Sequence, residues 1–316
     1  MFRLVAMHCW RSCADAFLIV ATAACSKREL FSPGTRDRVC AGRAAVIIIF
    51  GSELRRDLPG SRRADTPMPV RESEAIVLRT FSLGEGDLLV SFLSRLHGRL
   101  RGMASGARKP KSRFAATLEP LSYVRIWFFE RETRDLVRIN QLDLIESFVD
   151  VQSDYSSSLA LALASEVTEA VLGEREVAEP NFRLLLLTIR AVRSGTKMPL
   201  VLAYFALWIV RLGGWLPRLD RCGRCGSDLT SGAYAAEGQG LVCVSCRIAG
   251  QRLLSQDAVR IAEKISHGKL EVLESESLAN NALSEVRDYM LDIIEQHIER
   301  RLQSRRLLEE SFERLG

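Results

Sequence analysis

The stretch that decides the fold is residues 75–105, which read AIVLRTFSLGEGDLLVSFLSRLHGRLRGMAS. It holds three apolar segments, separated by turn residues at Gly84-Glu85-Gly86 and at His97-Gly98. In the middle segment, residues 87–94, the side chains of Leu88, Val90 and Phe92 alternate with those of Leu89, Ser91 and Leu93, which is typical of a strand with two faces. The sequence therefore predicts three consecutive short strands, and Gly102 weakens the third or marks a bulge in it.

Two further segments complete a sheet. Residues 121–129 alternate strictly, with Val124, Ile126 and Phe128 on one face. A polar loop over residues 130–134 leads into a last apolar segment, residues 136–145. Five short strands in about 75 residues predict a small barrel over residues 71–150, and an OB-fold fits that count. OB-folds bind single-stranded nucleic acid through a basic groove and aromatic stacking platforms.

A basic segment covers the third strand and the loop that follows it. No Asp or Glu lies between Leu88 and Leu118. Such a concentration of cations favours a polyanionic ligand, and the alternative is a solvated, arginine-rich loop. The candidate nucleic-acid-binding residues are Arg95, Arg99, Arg101, Arg108, Lys109, Lys111 and Arg113. The candidate stacking platforms, each with a core position as its alternative, are Phe81, Phe114, Tyr123 and Trp127.

The rest of the chain, residues 151–316, has helical periodicity. Ser153-Asp154 can cap a helix, and Ser255 can begin another. Residues 181–193 and 200–212 are leucine-rich helices, and residues 283–302 form one long amphipathic helix. In the tail, Arg305 and Arg306 stand four residues before Glu309 and Glu310, a spacing that predicts a solvated helix face. The predicted fold class is therefore α+β, a barrel followed by an all-α domain.

Four cysteines interrupt the helical domain. Cys222 and Cys225 form one Cys-x-x-Cys pair, Cys243 and Cys246 form another, and seventeen residues separate the pairs. This is the spacing of a four-thiolate zinc site, in which each pair forms a tight knuckle. Two disulfides or a redox pair are the alternatives. We predict one structural Zn²⁺ in a module over residues 218–250, with no position left open for catalysis.

The first seventy residues differ in character from the remainder. They carry the whole formal surplus of +5, four cysteines without metal-like spacing and little periodicity. We expect an extension outside the fold, translated from a start placed upstream of the real one at Met68; an export signal is the alternative. No apolar run is long enough to span a bilayer. The later cysteine pairs suit a reducing compartment, so we expect a cytoplasmic protein.

Catalytic motifs are missing from the sequence. It contains no glycine-rich phosphate loop, no Gly-x-Ser-x-Gly and no His-Glu-x-x-His. A binding protein is therefore favoured over an enzyme. Two other classes stay open: a zinc-stabilised scaffold that binds only proteins, and a nucleic-acid-modifying enzyme with a zinc ribbon.

Several segments, taken in order, resemble the bacterial DNA repair and recombination-mediator family RecO. They cover residues 71–316 and consist of residues 74–80, 84–90, 97–100, 106–112, 118–121 and 214–217, followed by the cysteine pairs. The resemblance implies an N-terminal OB-fold, a helical domain and a zinc module that only some members keep. Residues 1–70 depart from the family pattern.

The same resemblance implies a function. It implies binding of single- and double-stranded DNA, annealing of complementary strands and help in loading the recombinase RecA onto coated single strands. It implies two protein partners, RecR and the C-terminal tail of single-stranded-DNA-binding protein. By position, the family's basic loop falls on Arg108, Lys109, Lys111 and Arg113, with Arg99 and Arg101 on the preceding strand.

Overall fold

The computed structural model describes residues 69–109, 112–114, 117–130, 135–229 and 232–315, with side chains described as far as Ser311. The expectations about an extension, a start at Met68 and an export signal concern residues that lie outside this range. Within the described part, no helix has the length and apolar character needed to cross a membrane.

The N-terminal part is a closed five-stranded barrel. Its strands are β1 (Val70–Leu83), β2 (Asp87–Ser94), β3 (Gly98–Ala104), β4 (Tyr123–Phe129) and β5 (Val137–Glu146). The order around the barrel is β1-β2-β3-β5-β4, and β1 closes it by pairing antiparallel with β4. The β3–β5 contact is the only parallel one among the described barrel strands. This arrangement confirms the predicted OB-like barrel.

The alternation seen in the sequence places the barrel core. Val124, Ile126 and Phe128 of β4 point inward and are fully buried with Phe92 of β2. Gly102 lies where β3 meets β5, and a Cβ there would come within 2.8 Å of the Ile139 side chain. Glycine is thus required because the two strands approach too closely for any larger residue.

A helical body follows the barrel, after one 3-10 turn at Val151–Ser153. Its helices are α1 (Tyr155–Val171), α2 (Glu179–Arg193), α3 (Met198–Leu212), α4 (Gln256–His267), α5 (Leu270–Glu274), α6 (Asn280–His297) and α7 (Gln303–Leu315). The predicted caps are present, since Asp154 accepts the Ser157 N–H at 2.8 Å and Ser255 accepts the Ala258 N–H. The element pattern confirms the α+β class.

The prediction of one long helix over residues 283–302 is wrong at its C-terminal end. Helix α6 ends at His297, and Glu299 takes a left-handed φ of 54°. The carboxylate of Glu295 then accepts the Leu302 N–H at 2.8 Å, which holds the turn into α7. The apolar periodicity of the sequence continues through this turn, because Leu302 is buried in the same hydrophobic core as the apolar face of α6.

The barrel and the body share one hydrophobic core. Ile76 and Leu78 of β1 and Leu93 of β2 point out of the barrel and pack with α1 and α2 residues. The Tyr123 ring meets the Phe182 ring edge-on, with centroids 6.0 Å apart. This continuous apolar contact fixes the barrel relative to the helices.

Helix α7 is anchored by a carboxylate from another helix. Glu166 of α1 is buried and accepts hydrogen bonds from the backbone N–H groups of Gln303 and Ser304 and from the Ser304 hydroxyl. It therefore caps the N-terminus of α7 from outside the helix. Burial raises the pKa of Glu166, but these hydrogen bonds and the charge of Arg79 outweigh it and hold the pKa below its usual value.

We expect Glu166→Gln to lower the free energy of unfolding at pH 7 by about 1–3 kcal/mol, because the charge-assisted hydrogen bonds are lost. A carboxyl with a depressed folded-state pKa stabilises the fold above its unfolded value of about 4.3 and loses that contribution as the pH falls further. The difference between the two proteins should therefore shrink below about pH 4. Urea unfolding at several pH values measures it, with Glu310→Gln on exposed α7 surface as the control.

Candidate metal centre and nucleic-acid interface

The four predicted metal ligands lie in a small module between α3 and α4. It contains a three-stranded sheet of β6 (Ala233–Ala236), β7 (Gly240–Val242) and β8 (Leu253–Leu254), in the order β7-β6-β8. The Cys222–Cys225 knuckle precedes this sheet, and the Cys243–Cys246 knuckle follows β7. The Gly223 N–H donates to the Leu241 carbonyl at 2.8 Å and so fastens the first knuckle to β7.

The geometry of the four sulfurs is that of a tetrahedral thiolate site. All four Sγ atoms lie within 4.8 Å of one another, and the Sγ atoms of Cys225 and Cys243 are 3.7 Å apart. A tetrahedron with metal–sulfur bonds of about 2.3 Å has edges of about 3.8 Å. All four cysteines are free, so the two-disulfide alternative does not describe this site. The cluster could hold one metal ion.

The backbone around the knuckles is tightly packed. A Cβ on Gly223 would lie 2.0 Å from the Gln239 carbonyl oxygen, so glycine is required there. Arg224 spans the two knuckles, donating from Nε to the Gln239 side chain at 3.2 Å and from Nη1 to the Cys246 carbonyl at 3.1 Å. These contacts orient the sulfurs without taking up any sulfur lone pair.

The four sulfurs differ in how readily they lose a proton. Burial raises the pKa of Cys222, but backbone N–H donors of Cys225, Cys243 and Arg224 lower it to about 6. The pKa of Cys246 rises to about 12, because its hydrogen bond with Cys225 and its burial favour the thiol and the nearby Cys222 thiolate repels a second charge. Four thiolates therefore need a divalent cation to coexist here. The soft, four-sulfur donor set fits Zn²⁺.

The second predicted site is the basic loop, defined here as residues 105–122 between β3 and β4. Its start is folded against the β1–β2 turn: the Gly106 N–H donates to Asp87 at 2.7 Å, and Arg108 donates to the Gly84 and Gly86 carbonyls. Phe114 is buried in the barrel core and anchors the middle of the loop. The basic loop is thus held at the mouth of the barrel beside the β1–β2 turn.

The cations of the basic loop are available to a ligand. Arg108, Lys109 and Arg113 are exposed, and none forms an ion pair with a carboxylate among the described residues. The Arg113 guanidinium lies 4.8 Å from the centre of the Phe114 ring, so its position is partly fixed. Lys111 lies outside the described residues.

The three other predicted contacts are engaged with the helical body. Arg95 pairs with Glu74 at 2.7 Å and with Glu179 at 3.2 Å. Arg101 pairs with Glu174 at 2.7 Å. Arg99 donates from Nε to the Leu172 carbonyl at 2.9 Å. The structure therefore separates the predicted contacts into an unpaired group on the basic loop and a paired group at the β3 side of the barrel.

The four candidate stacking platforms also differ in burial. Phe114 and Tyr123 are buried, as their core alternative predicted, whereas Phe81 is about half exposed and Trp127 is partly buried. Phe81 is thus the most accessible of the four rings. Sequence reasoning missed Glu174 and Glu179, since nothing in the local pattern marks a carboxylate whose partner lies more than 70 positions away.

Comparison with known proteins gives matches over both parts of the described chain. The family model for the N-terminal part of recombination protein O matches residues 68–148, and the model for its C-terminal part matches residues 152–306. A DNA repair protein RecO from Koribacter versatilis (strain Ellin345) is 35% identical over 235 residues, which are 74% of this chain and 96% of that protein. The DNA repair protein RecO of Anaeromyxobacter sp. (strain K) is 31% identical over 246 residues, again 96% of its length and 76% of this chain. With an OB-like barrel, a helical body and a four-cysteine cluster in the same order, this chain belongs to the RecO family of DNA repair proteins.

Proposed function

We propose that this chain is a non-enzymatic, DNA-binding mediator of recombinational repair. It binds single- and double-stranded DNA, anneals complementary strands and helps to load a recombinase onto single-stranded DNA coated by its binding protein. The observation that carries the proposal is that Arg108, Lys109 and Arg113 of the basic loop are exposed on the OB-like barrel, with no carboxylate partner among the described residues. Membership of a DNA repair family supports it.

The mechanism is electrostatic. Arg108, Lys109, Lys111 and Arg113 neutralise phosphates of two strands at one place, and the repulsion that opposes their approach falls. The exposed ring of Phe81 offers a face on which an unpaired base stacks. No covalent bond is made or broken, so the reaction needs no nucleophile, general base or nucleotide.

The metal centre has a supporting role in this proposal. One Zn²⁺ held by Cys222, Cys225, Cys243 and Cys246 fills a closed, structural site with no open position for substrate. The partners that accompany the function are RecR and the C-terminal tail of single-stranded-DNA-binding protein, and the compartment is the cytoplasm. Four arginines are candidates for the rim of a pocket for this anionic tail: Arg183, Arg190, Arg193 and Arg211. Arg190 and Arg193 pair with Glu146, and Arg211 donates to the Ser266 carbonyl.

Salt dependence of single-strand binding tests the proposal. If the four cations of the basic loop contact phosphates, log affinity should fall with log salt with a slope near about −3, whereas contacts by all seven predicted cations would give about −5. Replacing Arg108, Lys109 and Lys111 by alanine should flatten the slope by roughly 2 units. Fluorescence anisotropy with a labelled oligonucleotide provides the measurement.

A matched control removes the same charge elsewhere. Arg260, Lys269 and Arg306 are exposed on the helical body, and the triple alanine variant should leave the slope nearly unchanged. Equal slopes for the two triple variants would contradict an interface on the basic loop. Failure of the wild-type protein to bind oligonucleotides at low salt would leave only the scaffold function.

A further inference from the structure

The helical body covers the barrel surface that OB-folds commonly use for oligonucleotides. That surface is the outer face of β2 and β3 together with the loops at its edges. Here Ser91 and Leu93, on the outer face of β2, are buried, and Leu93 belongs to the core shared with the body. Arg99 and Arg101 lie on the same outer face of β3, at the edge of the covered area.

An acidic connection from the body lies along this edge. Residues 172–179 run from the end of α1 to the first residue of α2, and we call them the acidic strap. Their sequence is LGEREVAE. The Arg175 N–H donates to the Arg99 carbonyl at 2.9 Å, so the strap pairs with β3 as a short parallel bridge. Its carboxylates reach the barrel cations, with Glu174 on Arg101 and Glu179 on Arg95.

The backbone of the acidic strap is fixed in place. A Cβ on Gly98 would lie 1.9 Å from the Glu176 carbonyl oxygen, which shows how closely the strap follows the start of β3. Farther along, Arg175 pairs with Glu130 and donates to the Asp135 carbonyl. Any exchange of partners at this edge therefore involves rotation of side chains, and the strap itself stays on the barrel.

The three arginines at this edge differ in how accessible they are to a new partner. The side chains of Arg101 and Glu174 are 44% and 34% exposed, and Arg95 and Glu179 are similarly accessible. Arg99 is only 15% exposed and is committed to the Leu172 carbonyl. Half-exposed ion pairs are weak, because water and salt screen them, so a polyanion can compete for the cation.

We propose that Glu174 and Glu179 take the place of phosphates in the free protein, and that Arg101 and Arg95 form a second, latent phosphate-binding row for a nucleic-acid strand. When a strand already held by the basic loop extends along the edge of β3, its phosphates replace the two carboxylates as partners of these arginines. Arg99 stays a structural residue throughout. The inference rests on the DNA-binding function proposed above. It adds to that interface a second row of cations, for which the protein's own carboxylates compete with the phosphates of the nucleic acid.

A double-mutant cycle tests this competition by oligonucleotide anisotropy. Glu174→Gln should tighten single-strand binding about two- to fivefold, because the surface ion pair between Glu174 and Arg101 no longer competes with the phosphate. The salt slope should steepen by at most about 0.7, because Arg101 contacts a phosphate in a larger fraction of the complexes. Arg101→Ala alone should change affinity little, and in the double variant it should abolish the gain.

The control removes one negative charge from the barrel without freeing a cation. Asp143 of β5 is exposed, and no cation pairs with it among the described residues; Asp143→Asn should therefore leave the slope unchanged. A gain from Glu174→Gln that persists with Arg101→Ala, or that Asp143→Asn matches, would overturn the inference and indicate a general charge effect. The same cycle with Glu179→Gln and Arg95→Ala should show a smaller coupling, because Arg95 keeps Glu74 as a partner at 2.7 Å.

The failure of this inference is distinct from failure of the proposed function. If the basic-loop triple variant flattens the salt slope but the Glu174 cycle shows no coupling, DNA binding stands and the latent row is rejected. If the triple variant has no effect on the slope while the cycle shows coupling, the primary interface is misplaced and β3 holds the strand alone.

Discussion

Replacing Cys222 by serine should release the metal ion and loosen both knuckles. A serine hydroxyl is a poor ligand for Zn²⁺, and a three-thiolate site binds it far more weakly than a closed four-thiolate site. We expect the zinc content to fall from about one ion per chain to a small fraction of that value, as in small zinc domains where binding contributes on the order of 10–16 kcal/mol to folding. Elemental analysis and hydrogen exchange of residues 218–250 measure the two effects.

The structure refines how far this loosening extends. An insert of about thirty residues has little core of its own, which by itself predicts that the whole insert melts without metal. However, Leu219, Leu241 and Val242 of the module are buried and join the core of the helical body. We therefore expect loss of protection to be greatest in the knuckles and smaller in β7, which packing still holds.

Ser245→Ala provides the control for this experiment. Ser245 is exposed between Cys243 and Cys246 and is not one of the four cysteines of the cluster, so the variant should keep its metal. A chelator added to the wild-type protein should reproduce the exchange pattern of Cys222→Ser. Unchanged zinc content in Cys222→Ser would show that the metal, where present, is held elsewhere.

Replacing Arg305 by alanine should lower the free energy of unfolding by about 1.5–3 kcal/mol, because it removes buried charge-assisted hydrogen bonds. Glu295 and Asp292 keep one further arginine partner each, Arg301 and Arg252. The Arg305 side chain is only 9% exposed and pairs with Asp292 at 2.9 Å, with Glu295 at 3.0 Å and with Glu309 at 2.9 Å. Glu295 is itself buried. These carboxylates outweigh the effect of burial and raise the pKa of Arg305, so the charged guanidinium is the favoured form.

The next residue along the helix is a matched control. Arg306 is 77% exposed and pairs only loosely with Glu310, at 3.6 Å. Arg306→Ala should change the unfolding free energy within about 0.5 kcal/mol. Urea unfolding of the two variants gives the comparison, and a similar small loss for both would contradict a buried network around Arg305.

These neighbouring arginines show where local reasoning fails. Both stand four residues before a glutamate, so the spacing predicts one solvated face for the pair. That prediction is right for Arg306 and wrong for Arg305, whose surroundings are supplied by Asp292 and Glu295 of α6. Burial of a charged residue depends on which helix packs against it, and the spacing of charges within its own helix holds no information on that.

The barrel strands and the cysteine cluster could be predicted because their signals are local. Strand residues alternate between two faces, so the apolar side of 121–129 corresponds directly to the inner face of β4. A Cys-x-x-Cys knuckle brings two sulfurs together through its own backbone, and seventeen residues suffice to bring back the second pair. The closing of the barrel through the β3–β5 contact had no comparable signal.

By itself, the sequence determined the α+β class, the OB-like barrel, the caps of α1 and α4 and the four-cysteine cluster. Each depends on residues that are close in the chain, where periodicity and spacing translate directly into geometry. Only the tertiary structure decided which cations of the basic segment are unpaired, since the partners of Arg95 and Arg101 lie 84 and 73 positions away. An ion pair is set by distance in space, and folding brings an acidic strap to Arg95 and Arg101 while the described cations of the basic loop stay open to solvent.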